Sequence, residues 1–134
     1  MSKLRTPRIA VDAIIESSGR VLLIERKNQP FKGCFALPGG FVEYGESLES
    51  AVRREVLEET GLRLEDVKLH NVYSEPGRDQ RGHVISVCYS ASGSGTLKAG
   101  SDAEKAEFHP IGEVLKMDLA FDHNRIIKDY LEKK

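Results

Sequence analysis

Three glutamates near the middle of the chain have a spacing that points to metal chemistry. Glu55, Glu58 and Glu59 are three and four positions apart, so a helix places their carboxylates on one face. Like charges at these spacings repel by roughly 0.2–0.5 kcal/mol per pair, and the last turns of a helix favour cations. A divalent cation with oxygen ligands removes this repulsion, and Mg²⁺ is the usual ion where phosphates react. The pattern predicts a metal-dependent enzyme that acts on a phosphate compound.

The element that positions these carboxylates is a helix with recognisable ends. Ser47 is the predicted N-cap, and Gly61 is predicted at or near the position that follows the C-terminus, where glycine turns left-handed at low cost. Leu48, Ala51 and Val52 share the angular stripe of the glutamates. The face that enters the core in the first two turns therefore becomes acidic in the next two. A pocket at the edge of the core explains this change better than a solvated face does.

The rest of the chain alternates strands with turns. The predicted strands cover residues 9–16, 21–24, 34–37, 67–74, 84–91 and 108–111, and a closing helix covers residues 121–131. Turns or loops are predicted at residues 17–19, 38–40 and 92–95, where Gly, Pro and Ser are concentrated. Strands before, between and after helices imply an α/β or α+β fold.

Length and composition favour one globular domain over residues 1–134. The chain is 40% apolar and 31% charged, with a formal net charge of −1, which argues against nucleic acid as a partner. No apolar stretch approaches the ~20 residues of a membrane span, and the N-terminus lacks the apolar core of a secretion signal. We therefore expect no membrane partner and a cytoplasmic location. Cys34 and Cys88 are predicted to be free thiols without a catalytic role.

Residues 40–62 carry an extended motif. They match G-x5-E-x7-R-E-U-x-E-E-x-G-U, where U is a bulky aliphatic residue, at every specified position from Gly40 to Leu62. On these residues the chain resembles the Nudix hydrolases, which split a nucleoside diphosphate linked to another group. The resemblance implies an α/β/α sandwich with a mixed β-sheet, in which residues 40–62 form a loop, a helix and a second loop.

The resemblance also assigns roles to the three glutamates. It implies that Glu55, Glu58 and Glu59 bind the metal ion, with Mg²⁺ as the expected cofactor and Mn²⁺ as an alternative. Water attacks one phosphorus atom and needs a base, and a carboxylate whose pKa is raised by acidic neighbours suits that task. Glu55 fills this role in some relatives. Glu55 and Glu58 are accordingly predicted catalytic residues.

Three neighbours of the glutamates complete the predicted metal site. The Gly39 carbonyl is a candidate ligand, because a glycine lets the backbone approach an ion closely. In relatives, residues at the positions of Glu46 and Arg54 pair with each other and orient the metal-binding glutamates. The same assignment is expected here.

In other relatives the base is a glutamate from a later loop. Residues 99–108 resemble the Asp-Asp-Ala-x-Glu-Ala segment of the ADP-ribose-hydrolysing branch. Ser101 stands in place of the first Asp, and Lys105 stands where the Glu is expected. Glu104 is the predicted substitute and the third predicted catalytic residue, so two origins of the base stay open.

Substrate choice is indicated by a second segment. Pro76 follows Gly61 by fifteen residues, a spacing associated with ADP-ribose pyrophosphatases in the family. Residues 78–83 resemble the Arg-Asp-Pro-Arg-Gly-His segment of that branch, with one substitution. Arg78 and Arg81 suit phosphate groups and are the predicted substrate-binding residues. The resemblance implies hydrolysis of ADP-ribose to AMP and ribose 5-phosphate.

Two other functions stay open at this point. The enzyme could instead hydrolyse nucleoside triphosphates, including oxidised ones, to a monophosphate and pyrophosphate. A non-catalytic Nudix domain that senses a nucleotide and regulates transcription is the third reading, although the intact motif argues against it. Many relatives of the ADP-ribose branch are homodimers, so the resemblance also implies a homodimer.

Overall fold

The structure is a computed structural model that describes residues 5–100 and 103–134. These residues form seven strands and three helices. In chain order they are β1 (Arg8–Ser17), β2 (Arg20–Arg26), β3 (Phe35–Ala36), β4 (Gly39–Phe41), α1 (Leu48–Thr60), β5 (Arg63–Tyr73), β6 (Val84–Ser94), β7 (Ala103–Pro110), α2 (Ile111–Val114) and α3 (His123–Glu132). None of these helices is long and apolar enough to cross a membrane.

The strands form one mixed sheet around β1. The order is β3-β2-β1-β6-β5, with β4 paired to β1 and β7 paired to β2. β1 runs parallel to β6 from Arg8 opposite Val84 to Ile15 opposite Ala91, and the other pairs are antiparallel. β2 pairs with the end of β1 and β4 with its start, while β6 occupies the opposite edge. Both edges of β1 are therefore covered.

Helices cover both faces of this sheet. On one face, Val11, Ala13 and Ile15 of β1 pack in a buried cluster with residues of α1. On the other face, Ile14 packs with Ile126 of α3 and with residues of α2. Successive residues of a strand point to opposite faces, which is why the almost unbroken apolar run of β1 is buried on both sides. This arrangement confirms the predicted α/β/α sandwich with a mixed sheet.

The glutamate-bearing helix has the predicted ends. The Ser47 hydroxyl accepts a hydrogen bond from the Ser50 N–H at 3.1 Å, as an N-cap does. Gly61 has φ 76° and donates its N–H to the Leu57 carbonyl at 2.9 Å. Ala51 is buried as the stripe predicts, whereas Leu48 at its start is 37% exposed. The first turn is thus less buried than the turn that carries Ala51 and Val52.

The prediction of a loop at residues 92–95 is wrong for residues 92–94. Residues 92–94 belong to β6 and pair with β5, with Gly93 opposite Leu64 and Ser94 opposite Arg63. The strand β5 begins directly after α1 and supplies hydrogen-bond partners that local composition does not reveal. A Cβ atom at Gly93 would lie 3.0 Å from Leu62 Cδ1, so this glycine makes room for a core side chain.

Two further segments predicted as irregular are strands. Residues 39–40, part of the predicted turn at 38–40, lie in β4 and pair with β1. The predicted loop at residues 99–108 becomes β7 from Ala103 onward, paired with β2. In both cases the partner strand is distant in sequence. The segment becomes a strand because the folded chain offers it an open strand edge, which local composition does not reveal.

Candidate active site

A cleft of about 470 Å³ opens where β1 exchanges one partner strand for another. β2 and β4 share one edge of β1 and separate from each other along it, which leaves a space between them. The lining combines acidic residues from α1 with residues from β1, β2, β4 and the loops that precede β6 and α3. Volumes of this order are typical of small-molecule sites.

Two of the three predicted metal-binding glutamates line the cleft. Glu55 and Glu59 are lining residues, and Glu59 is only 5% exposed. The Glu58 side chain is 45% exposed and lies outside the lining. Arg54 Nη1 lies 2.8 Å from Glu55 Oε1 and 3.4 Å from Glu58 Oε2, so one guanidinium reaches both carboxylates.

The backbone of Gly39 is directed toward these carboxylates. Its N–H donates to Glu59 Oε1 at 2.8 Å. On either side of it, β1 and β4 are joined at 2.9 Å by the N–H groups of Val42 and Ala13, which donate to the carbonyls of Ile9 and Pro38. The alternation of an antiparallel ladder makes Gly39 and Asp12 a pair without mutual hydrogen bonds. The N–H and the carbonyl of Gly39 therefore both point away from β1. The carbonyl faces the same side as the N–H, which is the side of Glu59.

Two consecutive glycines permit this approach for different reasons. A Cβ atom at Gly39 would lie 2.1 Å from the carbonyl oxygen of Val11, in the backbone of β1. A Cβ atom at Gly40 would lie 2.5 Å from the carboxylate carbon of Glu55. The first glycine thus lets β4 pair with β1, and the second leaves space for a carboxylate in the cleft.

Glu46 and Arg54 form a two-pronged ion pair. Arg54 Nε donates to Glu46 Oε2 at 2.6 Å, and Nη2 donates to Glu46 Oε1 at 2.9 Å and to the Phe41 carbonyl at 3.2 Å. The hydrogen bond from Arg54, with a further one from the Glu43 N–H, lowers the pKa of Glu46 to about 2, and the pKa of Arg54 is raised. The structure thus brings the predicted orienting pair together, next to Glu55.

We expect Arg54→Lys to weaken activation by the metal about 10- to 100-fold, the usual cost of losing a partner of a metal ligand. An ammonium cannot reproduce the fork that holds Glu46 while also reaching Glu55. The measurement is hydrolysis rate against Mg²⁺ concentration. Arg53→Lys is the matched control, because Arg53 lies on the same helix and contacts the Leu64 carbonyl at 2.8 Å. Identical metal dependence in both variants would contradict the orienting role.

The donors that face the cleft suit a hard divalent ion. At the end of the cleft formed by α1 and β4, these donors are oxygen atoms: the carboxylates of Glu55 and Glu59 and the carbonyl of Gly39. Within residues 5–100 and 103–134, no three His, Cys, Asp or Glu side chains converge as a metal cluster. Mg²⁺ takes one or two carboxylates and keeps several waters, so the donor set fits this ion without a third side chain.

The predicted later glutamate lies on a strand. Glu104 is the extra residue of β7 at a bulge, between Lys105 opposite Glu25 and Ala103 opposite Arg26. Its side chain is exposed and lies outside the cleft lining, as does that of Glu107. The prediction of a loop at this point was wrong, but a bulge does release one residue from regular pairing.

The segment that precedes β7 is fastened to the end of α1. The Gly100 N–H donates to the Glu59 carbonyl at 3.1 Å, and the Lys98 N–H donates to the Thr60 carbonyl at 2.8 Å. These bonds satisfy carbonyls that a helix end leaves without partners. Ser101, where the chain departs from the family pattern, lies outside the described residues. Glu104 thus follows a segment anchored beside the acidic end of α1.

Both predicted substrate-binding arginines line the cleft, but Arg78 is engaged by the protein. Its side chain is 6% exposed, and Nε and Nη2 donate to the carboxylate of Asp122 at 2.8 and 2.7 Å. Nη1 donates to the Val84 carbonyl and the Ser86 hydroxyl, both at 3.0 Å. These bonds connect the loop before β6 to the start of α3. The geometry gives Arg78 a structural role, and direct substrate contact stays a prediction.

Arg81 is more accessible. Its side chain is 30% exposed, and it donates to Asp79 through Nε at 3.1 Å and Nη2 at 2.8 Å. Its guanidinium carbon also lies 4.8 Å from the Phe41 ring centroid and 4.5 Å from that of Phe121. Sequence reasoning found the arginine but missed both aromatic residues, for which no motif gives a signal.

Sequence reasoning also missed a buried pair in the lining, Asp12 and His123. Burial raises the pKa of Asp12 to about 7, against the lowering effect of Arg78, and burial lowers the pKa of His123 to about 4. His123 Nδ1 accepts the Leu37 N–H at 3.0 Å, so a neutral ring carries its proton on Nε2, 3.8 Å from Asp12 Oδ1. An acidic residue inside the apolar run of β1 was the available signal.

Comparison with known proteins identifies the family. Residues 6–130 match the family model described as the NUDIX domain. The chain belongs to the Nudix family. Nudix hydrolases use divalent metal ions, and the oxygen donors of this Nudix domain suit such an ion.

Two curated relatives and one solved structure illustrate the similarity. The Nudix domain is 57% identical over 129 residues to the ADP-ribose pyrophosphatase of Methanocaldococcus jannaschii. The aligned region covers 96% of this chain and 75% of that protein. It is 32% identical over 131 residues to the ADPR responsive transcriptional repressor NtrR of Acinetobacter baylyi, covering 95% of this chain and 52%, about half, of the repressor. The NUDIX domain of Shewanella oneidensis NrtR complexed with ADP ribose superimposes with a TM-score of 0.89 at 31% identity, over 97% of this chain and 90% of that one.

Proposed function

We propose that this Nudix domain, taken as one domain over residues 1–134, hydrolyses ADP-ribose to AMP and ribose 5-phosphate with Mg²⁺ or Mn²⁺. The observation that supports this substrate is the 57% identity over 129 residues to an ADP-ribose pyrophosphatase. The cleft supports it chemically, because carboxylates suited to a metal share its lining with Arg81 and two aromatic rings. The diphosphate of ADP-ribose is charged and suits a metal ion and an arginine, and its base is planar and suits an aromatic ring.

The residues of α1 and β4 hold the metal end of the cleft. When bound, the divalent ion neutralises the diphosphate and polarises its oxygens. Glu55 and Glu59 are its proposed ligands from α1, and the Gly39 carbonyl is the proposed ligand from β4. Glu58 is the further proposed ligand and catalytic carboxylate, since its half-exposed side chain can turn toward the cleft. Arg54, fixed by Glu46, sets the position of Glu55.

The test is a substrate panel with the products identified. ADP-ribose, several nucleoside triphosphates and an oxidised guanosine triphosphate are incubated with the protein in Mg²⁺, and the products are separated by chromatography. We expect AMP and ribose 5-phosphate from ADP-ribose at a higher kcat/KM than for any triphosphate, and no reaction after chelation. Preferential release of pyrophosphate from triphosphates would replace the proposal with the second enzymatic function.

A nucleotide sensor is the alternative that one observation favours. The relative that is 32% identical is a repressor that responds to ADP-ribose, and the chain spans about half of its length. Tight binding of ADP-ribose without turnover in either Mg²⁺ or Mn²⁺ would establish this alternative. Turnover with the expected products would exclude a purely non-catalytic role.

The proposed base is tested with two glutamates of the same strand. If Glu104 accepts the proton of the attacking water, Glu104→Gln lowers kcat about 10²-fold or more and changes KM little, because a carboxamide cannot accept the proton. Glu107→Gln is the matched control and is expected to be nearly silent. The comparison is made by steady-state kinetics at saturating Mg²⁺. A silent Glu104→Gln with an inactive Glu107→Gln would move the role to Glu107, and two silent variants would return it to Glu55.

A further inference from the structure

Two aromatic rings in the cleft are in contact with the same cation. The guanidinium carbon of Arg81 lies 4.8 Å from the ring centroid of Phe41 and 4.5 Å from that of Phe121. Both phenylalanines line the cleft and are half-buried. A guanidinium is a flat group that stacks on aromatic faces, so one planar group already lies against both rings.

The surrounding structure holds these rings in place. Phe121 has φ 55° and Phe31 has φ 62°, left-handed conformations that non-glycine residues rarely adopt. The two rings meet edge to face, with centroids 4.9 Å apart. The Arg8 guanidinium carbon lies 3.4 Å from the Phe41 centroid, and that of Arg26 lies 4.9 Å from the Phe121 centroid. Strained backbone persists where the surrounding contacts impose it and is concentrated at ligand sites. The surroundings of Phe121 therefore hold its backbone, and with it the ring, at this point of the cleft.

The guanidinium of Arg81, in contrast, is held by few groups. Its side chain donates hydrogen bonds to Asp79, two residues away, and is 30% exposed. Asp79 is buried, and its Oδ1 also accepts the backbone N–H of Arg81 at 2.9 Å, so this carboxylate keeps a partner when the Arg81 side chain turns outward about its own rotatable bonds. The Arg81 guanidinium lies at the end of a long side chain with several rotatable bonds, whereas the Phe121 ring is held by its backbone conformation and by Phe31.

We propose that Phe41 and Phe121 form the nucleobase subsite of the cleft, and that the base displaces the guanidinium of Arg81 from the two rings. A purine is planar and presents a π-face to aromatic side chains, as bases do in proteins that bind single-stranded nucleic acids. Phe41 directly follows Gly39 and Gly40, which contact Glu59 and Glu55. A base on these rings therefore leaves its phosphates within reach of the metal-binding carboxylates. The choice of adenine rests on the proposed function.

The experiment separates the base from the phosphate by using AMP and ribose 5-phosphate as probes in calorimetric titrations. Phe121→Leu and Phe41→Leu keep an apolar side chain and remove the ring. We expect each to weaken AMP binding about fivefold or more, the lower limit of one base–aromatic contact, and to leave ribose 5-phosphate unaffected. Phe35→Leu is the matched control, because Phe35 lies outside the cleft lining and packs against His109. Thermal unfolding verifies that each variant is folded.

The displacement of Arg81 has its own measurement. Adenosine carries the base without a phosphate, so ligand-observed NMR of adenosine binding reports on the rings alone. Arg81→Ala removes the group that must move, and we expect adenosine to bind more tightly. Weaker adenosine binding would show that the base stacks on Arg81 and would overturn the displacement. Unchanged AMP affinity in both phenylalanine variants would overturn the subsite. Neither titration needs turnover, so failure of ADP-ribose hydrolysis would refute the proposed function separately.

Discussion

Glu59→Gln is expected to lower the hydrolysis rate at limiting Mg²⁺ by about 100-fold or more, with the fold intact. The amide oxygen of glutamine can still accept the Gly39 N–H that Glu59 Oε1 now accepts at 2.8 Å, so β4 keeps its contact with α1. What is lost is the negative charge that binds the ion. Loss of an outer partner of a metal ligand already costs up to about 100-fold, and loss of the ligand itself costs at least as much. Rates are measured across a Mg²⁺ titration.

Stability gives a second readout for the same variant. In the absence of metal, Glu59→Gln relieves repulsion with Glu55, so its melting temperature is expected to equal or slightly exceed that of the wild type. Glu49→Gln is the control, since Glu49 lies in the exposed first turn of the same helix. Near-normal turnover of Glu59→Gln at limiting Mg²⁺ would end the assignment of Glu59 as a ligand.

The second large effect is a contrast between two adjacent glycines. Gly39→Ala places a Cβ atom 2.1 Å from the Val11 carbonyl oxygen and 2.9 Å from Asp12 Cα, and neither backbone atom can move without separating β4 from β1. We expect a loss of unfolding free energy of about 3 kcal/mol or more, the upper range for overpacked sites. Denaturant unfolding measures this loss.

Gly40→Ala is expected to impair activity more than stability. Its Cβ atom meets the carboxylate of Glu55 at 2.5 Å, the far end of a side chain that can rotate away. We expect a change in unfolding free energy below about 1.5 kcal/mol and at least a tenfold fall in kcat, because the carboxylate leaves its position. Gly112→Ala, where a Cβ atom meets nothing within 4 Å, controls for the effect of alanine on the backbone. Equal unfolding midpoints for Gly39→Ala and Gly40→Ala would contradict the pairing of β4, and full activity of Gly40→Ala would contradict the placement of Glu55.

The arginines show why a residue type does not define a role. Arg78 and Arg81 have the same chemistry and lie three residues apart, yet Arg78 is saturated by Asp122, Val84 and Ser86. Arg81 lies at the cleft with one carboxylate partner and two aromatic rings. The difference arises from where the loop before β6 meets the start of α3.

The sequence alone was sufficient for the features that depend on neighbours along the chain. Ser47 and Gly61 marked the ends of α1 because caps act within one turn. The placement of Glu55 and Glu59 at one cleft followed from helical spacing, whereas Glu58 lies outside the lining. The motif over residues 40–62 led to the Nudix family, which the match over residues 6–130 confirms.

Only the tertiary structure decided which groups share the cleft. The strand β4 exists because β1 offers it an open edge, and that pairing directs the Gly39 N–H to Glu59. His123 reaches the Leu37 N–H across 86 positions of sequence. The contact of Phe121 with Arg81 likewise joins two loops that no local pattern relates. Spacing and capping act over a few residues, whereas a cleft is formed by packing between segments far apart in the chain, and only the folded chain brings these segments together.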